Sequence, residues 1–441
     1  MWTELFLSAG VFILWWLYSL HREENRPTLP QLYFCKGSRF VKDVIQQAVI
    51  LRMPYISPLL WGRNGHYQSF AYGILGNRRS RRWLPKGTRK EVLCSDGATV
   101  SFDVFEPLEK HWSGGDITFL ICPGIANSAE SVYIRSFVLY SQQCGFRCYV
   151  LNHLGVVPSV KLTAARLFTY GGTAEFASLT DYVMEKHPLT KAVALGFSMG
   201  GNVITCYLGK SEAHQKRFLC GISVCQGYDI LRSRPLLLEW TQMRRGYMFN
   251  ITRNMKRIMA RNRDLLFSKE IMEKHPKINL ECVFRATTML DIDEHYTKLV
   301  LGYETVEEFY REESCVHKMQ NINIPMLFVN ALDDPIVPET LLDCVKEYAQ
   351  HSEKALLVVT RHGGHLGFFE GDSYVMPEPV SWLCRLVAQY TDAVLTNEAV
   401  DEEWTRQTIN SEQCTVDDEK MGFPNEKKDV PDVELSTHVI S

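Results

Sequence analysis

The sequence predicts an α/β fold: a mostly parallel sheet with helices on both faces and a helical insertion before its last strands. Three observations point there. Apolar runs of strand length alternate with helical patterns from "ITFLICPG" through "CGISVCQG", and such alternation needs crossover connections, which make a sheet parallel. Two further apolar runs, "IPMLFVNALDD" and "KALLVVTRHGGH", come only after a long helical interval at about residues 227–320. Within the first group, "ALGFSMGGN" sets Ser198 between two glycines where a buried-strand run gives way to a helical one. The serine therefore falls at a strand-to-helix turn.

Composition narrows the function. The chain has 441 residues, 46% hydrophobic and 22% charged, enough to bury one sizeable sheet. A formal net charge of -3 supplies no basic surplus for phosphate, so nucleic acid is not an expected partner. The 13 cysteines are odd in number, scattered and without a C-x-x-C pair, which indicates neither a zinc site nor a disulfide framework. No metal and no organic cofactor is implied.

The chain opens with "LFLSAGVFILWWLYSL", an uncharged run from Leu5 to Leu20 that approaches the roughly 20 residues needed to cross a bilayer. Trp15, Trp16 and Tyr18 suit the headgroup interface. There is no positive leader and no small-x-small cleavage site, so residues 1–20 are expected to stay as a transmembrane signal anchor. The membrane is expected to be the plasma membrane or the endoplasmic reticulum. Arg22, Arg26, Lys36, Arg39 and Lys42 follow the run and favour a cytosolic body, whereas the glycosylation sequon at Asn250 points to the other side.

Residues 21–85 mix aromatic residues, Pro and Arg, as in "MPYISPLLWGRNGHYQSF". They are expected to form an irregular arm or short helices packed on the core, admitting substrate or covering a sheet edge. The core, residues 86–226 and 321–396, begins with "KEVLCSDGATVSFDVFEP", two strands around an Asp-Gly turn. Helices are expected near 130–143, 174–187 and 200–210. The insertion, 227–320, carries Trp240, Tyr247, Met248, Phe249 and Met255, with ten Lys or Arg against three Asp or Glu between residues 231 and 270. That mixture suits a cap over a site and anionic lipid headgroups, while an ordinary solvated face explains the charges equally simply. Residues 397–441 are polar and are expected to be disordered.

Gly196-Phe197-Ser198-Met199-Gly200 is a G-x-S-x-G pattern in the right context. A serine hydroxyl needs a base to take its proton and a third group to orient that base, in the chain order Ser, acid, His for this architecture. "LDDPIVP" supplies Asp333 and Asp334 after one strand, and "RHGGHLGFF" supplies His362 and His365 after the next. Asp334 begins the turn beyond its strand, and His365 sits between "GG" and "LGFF"; Ser198, Asp334 and His365 are the favoured triad, with Asp333 and His362 the alternatives. Oxyanion donors are expected from the backbone N–H of Met199, at the helix N-terminus, and of Ile125, in the loop after "ITFLICPG". His111 to Asp116 matches H-x-x-x-x-D, a spacing associated with acyltransferases, but reads as a loop. His362 and His365 have no third metal ligand nearby in sequence.

Together "LLWGRNGHYQS", "CPGIANS", "VLNHLG", "LFTYGG", "GFSMGGN", "SVCQGY", "ALDDPIVP" and "HGGHLGFFEG" resemble the α/β-hydrolase domain-containing proteins over about residues 30–395. The resemblance implies the α/β-hydrolase fold with a nucleophile at Ser198, an acid at Asp334 and a base at His365. It further implies a membrane-anchored lipase that cleaves acylglycerols, responds to a steroid ligand and works outside the cytosol. The expected function is a membrane-anchored serine hydrolase of acylglycerol esters. A lipophilic-ligand receptor on a hydrolase fold, a glycerolipid acyltransferase and a plain soluble esterase are its rivals.

Overall fold

The computed structural model describes residues 26–71, 85–371 and 376–397, with five isolated positions before residue 20. Most of the expected anchor at 1–20, residues 72–84 of the arm and the tail beyond residue 397 lie outside them. No helix among the described residues is long and apolar enough to cross a membrane.

One nine-stranded sheet organises residues 26–397. A short strand β1 (Gln31–Tyr33) and helix α1 (Arg39–Gln47) come first, then the hairpin β2 (Thr88–Leu93) and β3 (Thr99–Phe105). The βα alternation follows as β4 (Ile117–Cys122), α2 (Val132–Gln143), β5 (Arg147–Asn152), α3 (Ala174–Lys186), β6 (Lys191–Phe197), α4 (Met199–Leu208) and β7 (Cys220–Val224). Spatial order is β1-β9-β8-β7-β6-β4-β5-β3-β2, with β8 (Met326–Ala331) and β9 (Ala355–Thr360) completing the sheet. β4 to β9 pair in parallel, whereas β1, β2 and β3 pair antiparallel. Every residue of β4, β8 and β9 is buried, the result of covering a parallel sheet on both faces and the reason these strands read as continuous apolar runs.

Chain direction across the sheet reverses at β4, which lies between β5 and β6. In such sheets ligands bind beyond the carboxyl ends of the strands near the switch point. The turns after β4, β6, β8 and β9 all open on that side.

Between β7 and β8 the chain builds helices, among them α5 (Ile230–Leu237), α6 (Arg244–Arg261) and α7 (Val306–Glu313). They are tied to the core by buried polar contacts. Asn202 on α4 donates to the carbonyls of Tyr170 (3.0 Å) and Glu313 (2.7 Å) and accepts from Cys315 N (3.0 Å). The last helices are α8 (Asp343–His351) and α9 (Trp382–Leu395).

The arm departs in part from expectation. Its described part includes helices, but β1 pairs with β9 in the register Leu32↔Val358 and so closes one edge of the sheet. Three residues are too short to show a period of two, so only pairing reveals this strand.

Candidate active site

Ser198 occupies the turn between β6 and α4 with φ 53° and ψ −120°. A non-glycine residue at positive φ is strained and persists only where its surroundings hold it. Here Ser198 N donates to Val224 O (2.7 Å) and its carbonyl accepts from Gly201 N (2.9 Å). The flanking glycines are steric necessities. A Cβ on Gly196 would collide with the Gly200 carbonyl, and one on Gly200 with the Cys122 carbonyl of β4. Strand and helix backbones thus pass too close for any side chain, leaving the hydroxyl half-buried at the tip of the turn.

His365 stands between this serine and a buried carboxylate. Its Nε2 lies 2.9 Å from Ser198 Oγ, and its Nδ1 lies 2.8 Å from Asp334 Oδ2. The other oxygen of Asp334 accepts from the N–H groups of Ile336 (2.8 Å) and Val337 (3.0 Å), and the residue is 3% exposed. An ionised carboxylate only accepts, so Nδ1 must carry the imidazole proton and Nε2 is free to accept from the serine hydroxyl. The arrangement can move a proton from Oγ to Nε2 while Asp334 stabilises the imidazolium.

The neighbouring acid and histidine form a separate pair. Asp333 Oδ2 meets His362 Nδ1 at 3.2 Å, and Oδ1 accepts from Gly364 N at 2.8 Å. Asp333 thereby shapes the loop that delivers His365. The arm supports the same loop: His365 N donates to Ser69 Oγ (2.8 Å), and Gln68 Oε1 accepts from Phe369 N (3.0 Å). Sequence reasoning missed Ser69 and Gln68, although "LLWGRNGHYQS" is among the motifs behind the family resemblance.

After β4, Gly124 N donates to Tyr133 Oη (2.8 Å), and His153 Nε2 donates to the Pro123 carbonyl at 3.0 Å. His153 is wholly buried, which pushes its pKa down and keeps it neutral. The N–H groups of Ile125 and Met199, the expected oxyanion donors, meet no acceptor among the described residues. Ile125, Ser198 and Met199 all line one cavity of about 940 Å³, mouth included, whose wall is largely apolar: Phe168, Leu237, Met248, Met255 and Phe309 are among its residues. Met248 and Met255 come from the insertion, which therefore shares the wall of one cavity with the serine.

Other singled-out residues lie in different settings. His111 is buried against Ser113 (2.7 Å) and Asp392 (3.1 Å), while Asp116 pairs with Arg147, so the two do not meet. Asn250 is exposed on α6, its amide donating to Gly246 O at 3.2 Å. Cys225, whose place in an apolar run marks it as a buried core residue, brings its thiol within 4.8 Å of ligand atoms of Asp334 and His365. Burial, reinforced by the Asp334 charge, pushes that thiol far up, and a protonated thiol is a poor metal ligand.

A family model for the alpha/beta hydrolase fold matches residues 117–372. The chain is 42% identical over 413 residues to a monoacylglycerol lipase, ABHD2, of Homo sapiens, covering 93% of both proteins. It is 40% identical to abhydrolase domain-containing protein 2 of Drosophila melanogaster, over 90% of this chain and 98% of that one. A phospholipase, ABHD3, of Homo sapiens is 24% identical over 89% of this chain and 90% of its own. A glycine-bounded serine turn beyond a parallel strand, a family model covering more than half of the residues and relatives aligned over nine-tenths of the chain agree: the chain belongs to the α/β-hydrolase family.

Proposed function

We propose that the chain is a membrane-tethered serine hydrolase that cleaves acylglycerol esters. The observation that carries this reading is the hydrogen-bonded line from Ser198 Oγ through His365 to Asp334, set at the wall of a largely apolar cavity. Ser198 Oγ attacks the ester carbonyl as its proton passes to His365 Nε2. The developing oxyanion takes the N–H groups of Met199 and Ile125, at the start of α4 and in the loop after β4, each such donor being worth about 3–4 kcal/mol. His365 then protonates the departing glycerol oxygen. Water, deprotonated by the same nitrogen, attacks the acyl-serine and releases the fatty acid.

Cavity chemistry and relatives named as monoacylglycerol lipases support the acylglycerol assignment. An anchor at residues 1–20 would hold such an enzyme where its substrate partitions, and a steroid ligand and glycosylation at Asn250 remain parts of the same proposal. The test is fluorophosphonate labelling of membranes carrying wild type, Ser198→Ala or His365→Ala, followed by monoacylglycerol turnover in the same samples. Labelling and turnover in wild type alone are expected. A folded wild type that neither labels nor hydrolyses any ester defeats the proposal in favour of a receptor, and acyl transfer to an added glycerolipid in preference to water defeats it in favour of an acyltransferase.

A further inference from the structure

We infer that Asp293 is a hydroxyl-reading group of the substrate cavity, which makes the site prefer esters that carry a free hydroxyl over esters of the same chain that carry none. The inference rests on the ester-hydrolase reading of Ser198.

Asp293 is the one carboxylate among the residues lining the cavity, and it is only 7% exposed. Two neighbours hold it, Tyr310, whose hydroxyl donates to Oδ2 at 2.8 Å, and Thr297, which also hydrogen-bonds to it. A carboxylate has about four acceptor positions, so capacity is left toward the cavity. No cation pairs with it among the described residues. Lys298, next along the same helix, is taken by Glu294 (2.6 Å) and the Glu304 carbonyl (3.2 Å), and Arg234 by Glu307 (2.6 Å).

Burial raises the Asp293 carboxyl to about 6 despite both hydrogen bonds, so at neutral pH the cavity wall holds an ionised, incompletely satisfied acceptor. Its backbone is also unusual. Asp293–Thr297 is a single π-helical turn between the α-helical turns Met289–Ile292 and Lys298–Leu301. Such bulges gather at functional sites because they re-aim one side chain at the expense of regular bonding.

A ligand O–H fits this position chemically. It supplies the missing donor without bringing in a second charge, and an O–H to carboxylate bond is among the stronger kinds. The glycerol of a monoacylglycerol offers two such hydroxyls, and a hydroxylated acyl chain offers one.

The experiment uses the full chain in mixed micelles and measures kcat/KM for monooleoylglycerol, methyl oleate and the methyl ester of a hydroxylated oleate. Wild type is compared with Asp293→Asn and Asp293→Ser. The asparagine is isosteric and removes a desolvated charge, so it is expected to fold. The wild-type ratio of a hydroxylated ester to methyl oleate should fall at least tenfold in both variants, which corresponds to losing one charged hydrogen bond. A fall for monooleoylglycerol places the hydroxyl on the head group, a fall for the hydroxylated chain places it on the acyl side, and either supports the inference. Ratios within twofold of wild type overturn it, whatever happens to the absolute rates. If Ser198 proves not to hydrolyse esters at all, binding decides instead: Ser198→Ala should bind 1-O-oleylglycerol at least tenfold more tightly than oleyl methyl ether, and adding Asp293→Asn should erase that difference. Equal binding of the two ethers, together with equal binding of oleyl methyl ether and its chain-hydroxylated analogue, overturns the inference independently of catalysis.

Discussion

Replacing Asp334 with asparagine separates the two adjacent acids most sharply. In the native site Oδ1 is occupied by the N–H groups of Ile336 and Val337, so an amide at this position would keep its oxygen there and turn its NH2 toward His365. Nδ1 must then accept rather than donate, the ring proton moves to Nε2, and Nε2 can no longer take the proton from Ser198 2.9 Å away. Wrong-tautomer variants of this type lose about ten-thousandfold in kcat, equivalent to about 5.5 kcal/mol of barrier. Asp333→Asn alters the side-chain hydrogen bonds to His362 and Gly364, so its effect should be a weakened loop contact of about 1–2 kcal/mol, read as a lower melting temperature. The assay is the initial rate of fluorophosphonate labelling alongside monooleoylglycerol turnover, with melting curves for both variants. An Asp334→Asn protein that is folded and keeps more than a tenth of wild-type turnover, or an Asp333→Asn protein that loses as much as Asp334→Asn, would refute the proton path drawn here.

Three further outcomes are expected. Gly200→Ala drives a Cβ into the Cys122 carbonyl, and because backbone on both sides must move it should cost about 3 kcal/mol or more; a melting temperature equal to wild type contradicts the close approach. Burial raises the Asp293 carboxyl from 3.8 to about 6, so the native state binds the extra proton in that window and wild-type stability is lost as pH rises through it. Asp293→Asn should therefore gain about 2 kcal/mol over wild type at pH 8 relative to pH 4 in denaturant titrations, and a difference that does not change with pH contradicts the buried charge. Carbonate washing should leave the full chain in membranes and release a chain lacking residues 1–20; release of the full chain removes the anchor from the proposal.

Much of the site was legible because its determinants are local. Gly196 and Gly200 are required within five residues of one another by the closeness of β6, α4 and β4, and the same crowding makes the serine turn recognisable as text. The order of Ser198, Asp334 and His365 was readable for a related reason. Each follows an apolar run, and each apolar run is a strand buried on both faces. That Asp334 rather than Asp333 meets His365 follows the same local logic, since "DPIVP" marks where the strand becomes a turn.

The alternation of strands and helices, the long insertion and the glycine-bounded serine turn were thus determined by sequence alone, because they depend on burial periodicity and on steric limits between residues near in the chain. Tertiary structure alone decided that β1 closes the sheet edge, that Ser69 and Gln68 hold the loop of His365 from about 300 positions away and that Asp293 faces the same cavity as Ser198. These partners share no period and no motif. They meet only after the sheet has twisted and the insertion has folded back over it, and a hydrogen bond between such distant positions leaves no regular mark in the chain that makes it.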